Sequence, residues 1–298
     1  MLKVQVSVTP NEAKRLIAKA ISQMPEVRTA LKNGKILLKG GTTISALAEE
    51  LAGIKLGIHG RITQQGTKSA NIRYDVGFHR VLIEGGQVRD LKSDLAIEEV
   101  AIQMGKNDVL VTGANALDVN RKTAIMVGRP LGGPAGRILP GLMARGVTTI
   151  IAVGWEKLIP CPLEEALAAA GRETMDLAMG MAVGLVPLWG TVVTETDAVS
   201  MLADVRATVI GAGGITGGEG STTFVIEGEP SQVKKAWEIV HSVKGTELSG
   251  AQETLDECNA KSRGCANYLT ICDKRVIAHR SCIWREPDLV AKVFSVQH

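Results

Sequence analysis

The run Lys39-Gly40-Gly41-Thr42-Thr43-Ile44-Ser45 sets two glycines and three hydroxyl side chains between an apolar strand-like stretch and a helix-like one. Backbone amides at such a strand-to-helix turn are not yet engaged in the helix ladder. Glycine lets a ligand approach them closely, and the helix dipole adds partial positive charge there. Gly40, Gly41, Thr42, Thr43 and Ser45 are therefore candidate ligands for a phosphate or carboxylate, with an ordinary tight turn and helix cap as the alternative. A second set is Cys258, Cys265 and Cys272, seven residues apart, with Cys282 ten further on and His279 nearby. Zinc and iron–sulfur sites favour shorter spacings, and Gly264 interrupts any helix that would align the thiols. Buried small side chains or redox-labile thiols are the expected reading, and a metal is not expected. Arg73 and Arg80 are candidate partners of a ligand anion, whereas His79, close in sequence to Asp75, reads as structural. Trp155 and Trp189 read as core or interface residues.

The elements that would position these groups alternate between strand and helix. Thr9-Pro10 with Glu12 opens a helix whose apolar stripe is Leu16, Ile17, Ala20 and Ile21. It reads as the one helix ahead of the first core strand, Lys35–Leu38. Short apolar runs at Arg80–Ile83, Asp108–Val111, Thr148–Val153 and Thr191–Thr194 predict further strands. Helices are predicted over Ile44–Leu51, Asp94–Met104, Arg137–Arg145, Leu163–Ala170 and Glu173–Ala182. This pattern predicts an α/β fold with a Rossmann-like, mostly parallel sheet covered by helices on both faces. Residues 1–203 read as an anion-binding core. Residues 204–245 read as a β-β-α subdomain and 246–298 as a Cys-rich C-terminal segment. The glycine run Gly211–Gly220 reads as a long hairpin loop, with a second anion nest or a lid as the alternative.

The segments Asn33-Gly34 through Thr43, Asn107-Asp108-Val109-Leu110-Val111-Thr112-Gly113-Ala114-Asn115, and Gly132-Gly133-Pro134-Ala135-Gly136-Arg137 follow one another in a distinctive order. Glu156-Lys157-Leu158 and Thr191–Asp197 follow them. That order resembles the ribose-5-phosphate isomerase, glucosamine-6-phosphate deaminase and CoA-transferase superfamily over roughly residues 11–202. The resemblance implies further ligand contacts from Gly113, Asn115, Gly132 and Gly133, and a sugar phosphate or CoA ester as ligand. For a transferase it implies a nucleophilic carboxylate, for which Glu84 before Gly85-Gly86 is the candidate and a loop carboxylate the alternative. Where the isomerases carry proton-handling acids this chain has Thr112, Asn115 and Pro140. None of the three can take up and return a proton near neutral pH, which disfavours isomerisation.

Over 298 residues, 45% are hydrophobic and 22% charged, as in a folded globular chain. Aromatic residues make up only 3%, so aliphatic and small side chains must build the core. A net charge of +3 without a basic run gives no reason to expect nucleic acid, and no stretch reads as a membrane span. The start reads as a strand and not as a signal peptide, and five cysteines without a secretion signal suggest the cytoplasm. The function expected is binding of a phosphorylated or CoA-ester small molecule, with transfer chemistry open, in a homo-oligomer. The alternatives are a non-catalytic interaction protein that kept the fold and a metal or redox protein using the C-terminal thiols.

Overall fold

The computed structural model describes residues 1–63, 66–69, 77–176, 178 and 180–255. Cys258, Cys265, Cys272, His279 and Cys282, together with Arg73 and Asp75, lie outside the described residues. The chain runs β1 (Leu2–Val8), α1 (Pro10–Gln23), α2 (Pro25–Asn33), β2 (Lys35–Lys39), α3 (Thr42–Ala52), β3 (Gly60–Thr63), β4 (Gly66–Ser69), β5 (Arg80–Glu84) and β6 (Gln87–Asp90). It continues with α4 (Asp94–Gln103), β7 (Val109–Gly113), β8 (Ala116–Leu117), β9 (Thr123–Val127), α5 (Gly133–Ala144), β10 (Thr148–Ala152) and α6 (Leu163–Ala169). The last elements are β11 (Gly184–Leu188), β12 (Thr191–Val193), α7 (Glu195–Ala203), β13 (Arg206–Gly213), β14 (Ser221–Gly228) and α8 (Pro230–Ser242).

The central sheet has six strands in the order β12-β10-β7-β2-β5-β6. The first four run parallel, whereas β5 pairs antiparallel with β2 and β6 antiparallel with β5. The sheet is thus mixed, with the Arg80–Ile83 strand antiparallel to both of its neighbours. Gly85-Gly86, both at positive φ, fold β5 and β6 into a hairpin that needs no crossover helix. Alternate strand residues face opposite sides. Ile36, Leu38, Val109, Val111 and Ile150 pack with side chains of α1, α3 and α7, while Leu37, Leu82, Leu110 and Ile151 pack with those of α4 and α5. Helices therefore cover both faces.

Two helices, not one, precede β2. The chain turns at Met24-Pro25, where a proline at the first position of α2 starts a new helix. The helix expected at Glu173–Ala182 is absent among the described residues. Gly180, at φ +79°, instead bridges to Thr67, and the next regular element is β11. Together β11, β9 and β8 make a three-stranded sheet that the sequence reading did not anticipate.

The expected β-β-α unit is present as β13, β14 and α8, and the first three glycine-run residues belong to β13. Its sheet has the order β1-β14-β13, so its third strand comes from residues 2–8, outside the segment expected to form it. Among the described residues no helix is long and apolar enough to cross a membrane, and no group of three His, Cys, Asp or Glu side chains is placed to hold a metal.

The Thr9 side chain accepts from the Glu12 amide, and the Glu12 carboxylate accepts from the Thr9 amide at 2.9 Å, a reciprocal cap for α1. The same carboxylate accepts from Lys244 Nζ at 2.7 Å and from the Gly245 amide at 2.9 Å. Burial opposes its charge, but these donors outweigh burial and hold the carboxyl below its usual range. Replacing Thr9 by Ala should lower the unfolding free energy by about 1 kcal/mol. Glu12→Ala should cost more in the same urea titration, because it also strips Lys244 and Gly245 of their acceptor. An equal or smaller loss would show that those two contacts contribute nothing.

Candidate functional site

Parallel pairing places Lys39 at the end of β2 beside Thr112 of β7, and Gly113 of β7 beside Ala152 of β10. The carboxyl ends of three neighbouring strands thus share one edge, where open α/β sheets place their ligands. A cavity of about 240 Å³ opens there. Its walls include Gly40–Ile44, Gly113–Asn115, Val153-Gly154, Ile125-Met126 of β9 and Met181. Four cationic residues also line it: Lys39, Arg61, Lys68 and Lys157, against one carboxylate among the described residues, Glu156. An adjoining lobe of about 160 Å³ shares Lys39, Gly40, His59 and Met126 and extends to Arg80, Arg129 and Gly132–Ala135.

The helix starts two residues earlier than predicted, so Thr42 and Thr43 form the first turn of α3 and Gly41 is its cap residue. Gly41 sits at φ +133°, a backbone conformation that residues with a β-carbon rarely adopt. It has no side chain with which to cap the helix, and no side chain among the described residues accepts from the amides of Thr42, Thr43 or Ile44. The first-turn donors therefore open onto the cavity unsatisfied by protein side chains.

Gly40 is required for a different reason. A β-carbon there would overlap the His59 ring and lie 2.9 Å from the His79 carbonyl oxygen. The two imidazoles meet edge to face with centroids 5.6 Å apart. Burial, followed by the charges of Arg80 and Lys39, pushes His59 down to about 3, so it is a neutral wall near pH 7. Its Nε2 is buried without a hydrogen-bond partner. Lys39 forms no ion pair with a carboxylate among the described residues. Burial and then the neighbouring Arg80 lower it to about 8.

Of the sequence candidates, Gly40, Gly41, Thr42, Thr43, Gly113 and Asn115 line the first cavity, and Gly132 and Gly133 the adjoining lobe. Asn115 is engaged structurally, with its side-chain oxygen accepting from the Met126 amide at 3.0 Å. Ser45 is fully buried on the other side of α3, where its Oγ accepts from the Leu56 amide and bonds Ser249. Glu84 lies at the opposite end of the sheet, paired with Lys35 at 3.2 Å, because β5 runs antiparallel. Arg80 reaches the cleft, but its Nη1 donates to Asp94 at 2.8 Å. Trp155 bonds Thr196 through its indole nitrogen, and Trp189 is exposed.

Sequence reasoning missed Lys39 as a site residue, as well as His59, Arg61, Lys68 and Glu156. The Glu156 Oε2 is buried without a hydrogen-bond partner. Near it, the fully buried Glu195 accepts from the Trp155 amide, and burial raises its carboxyl to about 7. Glu156 lies within electrostatic reach of Lys14 as well, whose ammonium is lowered chiefly by burial. Comparison with protein-family models, curated proteins and solved structures finds no match to the chain.

The lowered Lys39 has a stability signature. Between about 8 and its unfolded value near 10.5, the unfolded chain binds more protons at this residue than the folded one. Its contribution to stability therefore rises with pH across that window. Relative to Lys39→Met, the wild type should gain denaturation midpoint as pH climbs through this range. A wild-type-minus-variant difference that stays flat would show that the ammonium is not desolvated.

Proposed function

We propose that this cleft binds the anionic group of a phosphorylated or CoA-ester small molecule, in the manner of a Rossmann-like fold of the isomerase, deaminase and CoA-transferase type. The observation that carries the reading is the first turn of α3, uncapped by side chains and opening into a cavity beside Lys39, a cation without a carboxylate partner among the described residues. An oxyanion would supply acceptors for the Thr42, Thr43 and Ile44 amides and a counter-charge for Lys39 together. Thr42 and Thr43 line the same cavity, and their hydroxyls are further donors an oxyanion could use. Glycine at positions 41 and 113, where a β-carbon would meet nothing closer than 3.8 Å, leaves backbone open beside it.

The reading is one of binding. Thr112 is buried with its hydroxyl on the Gly113 carbonyl, Asn115 is committed to β9, and Pro140 lies inside α5. The positions that carry proton-handling acids in the isomerases therefore have no such role here. Glu84 is too far around the sheet to serve as a nucleophile in this cleft.

Thermal unfolding with inorganic phosphate, ribose 5-phosphate and acetyl-CoA tests the proposal against unphosphorylated ribose. A ligand at about a hundred times its dissociation constant should raise the melting temperature by about 5 °C. Lys39→Met should weaken binding of the phosphorylated ligand about tenfold, as expected for a lost charge-assisted contact. Wild-type affinity should also fall as pH rises through about 8, where Lys39 discharges. If none of the phosphorylated probes shifts the transition at saturating concentration, the cleft is not an anion site.

A further inference from the structure

We infer that the cleft contains a second anion subsite at the opening of α5, and that its ligands are small molecules carrying two separated anionic groups. The inference rests on the α3 reading above and narrows the class of molecule bound there. The lobe of about 160 Å³ has Lys39, Gly40, His59 and Arg80 on one side. Gly128, Arg129 and the Gly132–Ala135 turn form the other. Three cationic residues line it and, among the described residues, no carboxylate does.

The charge balance at its wall is incomplete. Asp94 serves two guanidiniums, accepting from Arg80 Nη1 at 2.8 Å and facing Arg129 Nη1 at 3.8 Å. Lys39 adds a third positive charge with no acid of its own among the described residues. Arg80 is 2% exposed, and its Nε is buried without a hydrogen-bond partner. A buried guanidinium N–H without an acceptor is a costly arrangement in an empty protein and an ordinary one beside a bound anion.

The turn opposite has matching geometry. Gly132, at φ +70°, is the cap residue of the twelve-residue α5 and brings no side chain to it. The Gly133 amide already donates to the Pro130 carbonyl and Pro134 has no N–H, so what faces the lobe is the positive end of a second helix dipole rather than a row of amides. The two lobes share Lys39, Gly40 and His59. A molecule lying across both would place one anion on the α3 turn and the other against Arg129 and the α5 opening, with Lys39 between them. Two phosphates satisfy this arrangement, and so do a phosphate and a carboxylate.

Isothermal titration of the full chain with inorganic phosphate, propanediol bisphosphate and phosphoglycolate separates the cases. At least one of the doubly anionic probes should bind about tenfold or more tightly than phosphate, since the second contact is intramolecular once the first is made. The probe that gains identifies the second group. In Arg129→Gln the ratio of affinities should collapse towards one. This side chain is 46% exposed, so the fold should tolerate the change, and unchanged far-UV circular dichroism would confirm that. Phosphate binding without any gain for either doubly charged probe overturns the second subsite and leaves the α3 reading standing. A gain that survives Arg129→Gln overturns its placement in this lobe. Absence of binding by all three probes overturns both.

Discussion

Parallel pairing of β2 with β7 and of β7 with β10 is the constraint on which the cleft depends. It brings Lys39, Gly113 and Ala152 to one edge of the sheet, because parallel strands all end on the same side. Lys39 passes at once into Gly40-Gly41 and Gly113 into Ala114, and Ala152 reaches Gly154 after Val153. At these strand ends the cavity wall therefore includes backbone, which presents fixed dipoles beside the mobile cationic side chains. Were β2 reversed in the sheet, Lys35 would stand where Lys39 does, and the Gly-Thr turn would open at the far edge beside Glu84.

The cations around this edge are concentrated by the fold in a way the bulk charge does not reveal. A net charge of +3 over the chain is small, yet Lys39, Arg61, Lys68, Lys157, Arg80 and Arg129 converge on two joined lobes. The His59 ring, held neutral by burial among these charges, fills the space against Gly40 without adding repulsion. A low-dielectric wall of Ile125, Met126 and Met181 stands opposite. Such a wall strengthens the field that an entering anion feels, relative to the same charges spread over a surface.

The strand–loop–helix unit was legible because its signals are local. Apolar Ile36–Leu38 gives the strand, two glycines the turn, and the following apolar spacing the helix. The direction of β5 was not legible, since its three apolar residues, Val81–Ile83, read the same either way and only pairing with Lys35–Lys39 decides it. Ser45 was misplaced because α3 starts at Thr42. A residue three positions on then turns inward to Leu56 and Ser249, while Thr42 and Thr43 stay at the mouth. The glycine-interrupted, Met- and Ala-rich run at Glu173–Ala182 carries helix-forming residues, but Gly180 brings backbone against Thr67 and removes room for a helix. His59, Arg61 and Lys68 arrive from residues at and around a short hairpin with no motif of its own, and only tertiary placement marks them as site residues.

The β1-β14-β13 sheet and the cleft are linked through α1, which packs against α3. On one side Glu12 ties α1 to Lys244 and Gly245 beyond α8, and β1 just before it pairs along β14. On the other, Arg15 holds Glu49 at 2.5 Å and Glu50 at 3.2 Å, both on α3. The glycine-rich hairpin closes the circuit, since a β-carbon at Gly220 would stand 3.1 Å from Pro10 and 3.7 Å from Glu156. A side chain at that position would push either on the start of α1 or on Glu156, the one acidic residue lining the cavity among the described residues. The glycine there is thus part of how the β-β-α unit fits against the rest of the chain, and the orientation of α3, with its open amides, is set in part by contacts that reach the β1-β14-β13 sheet.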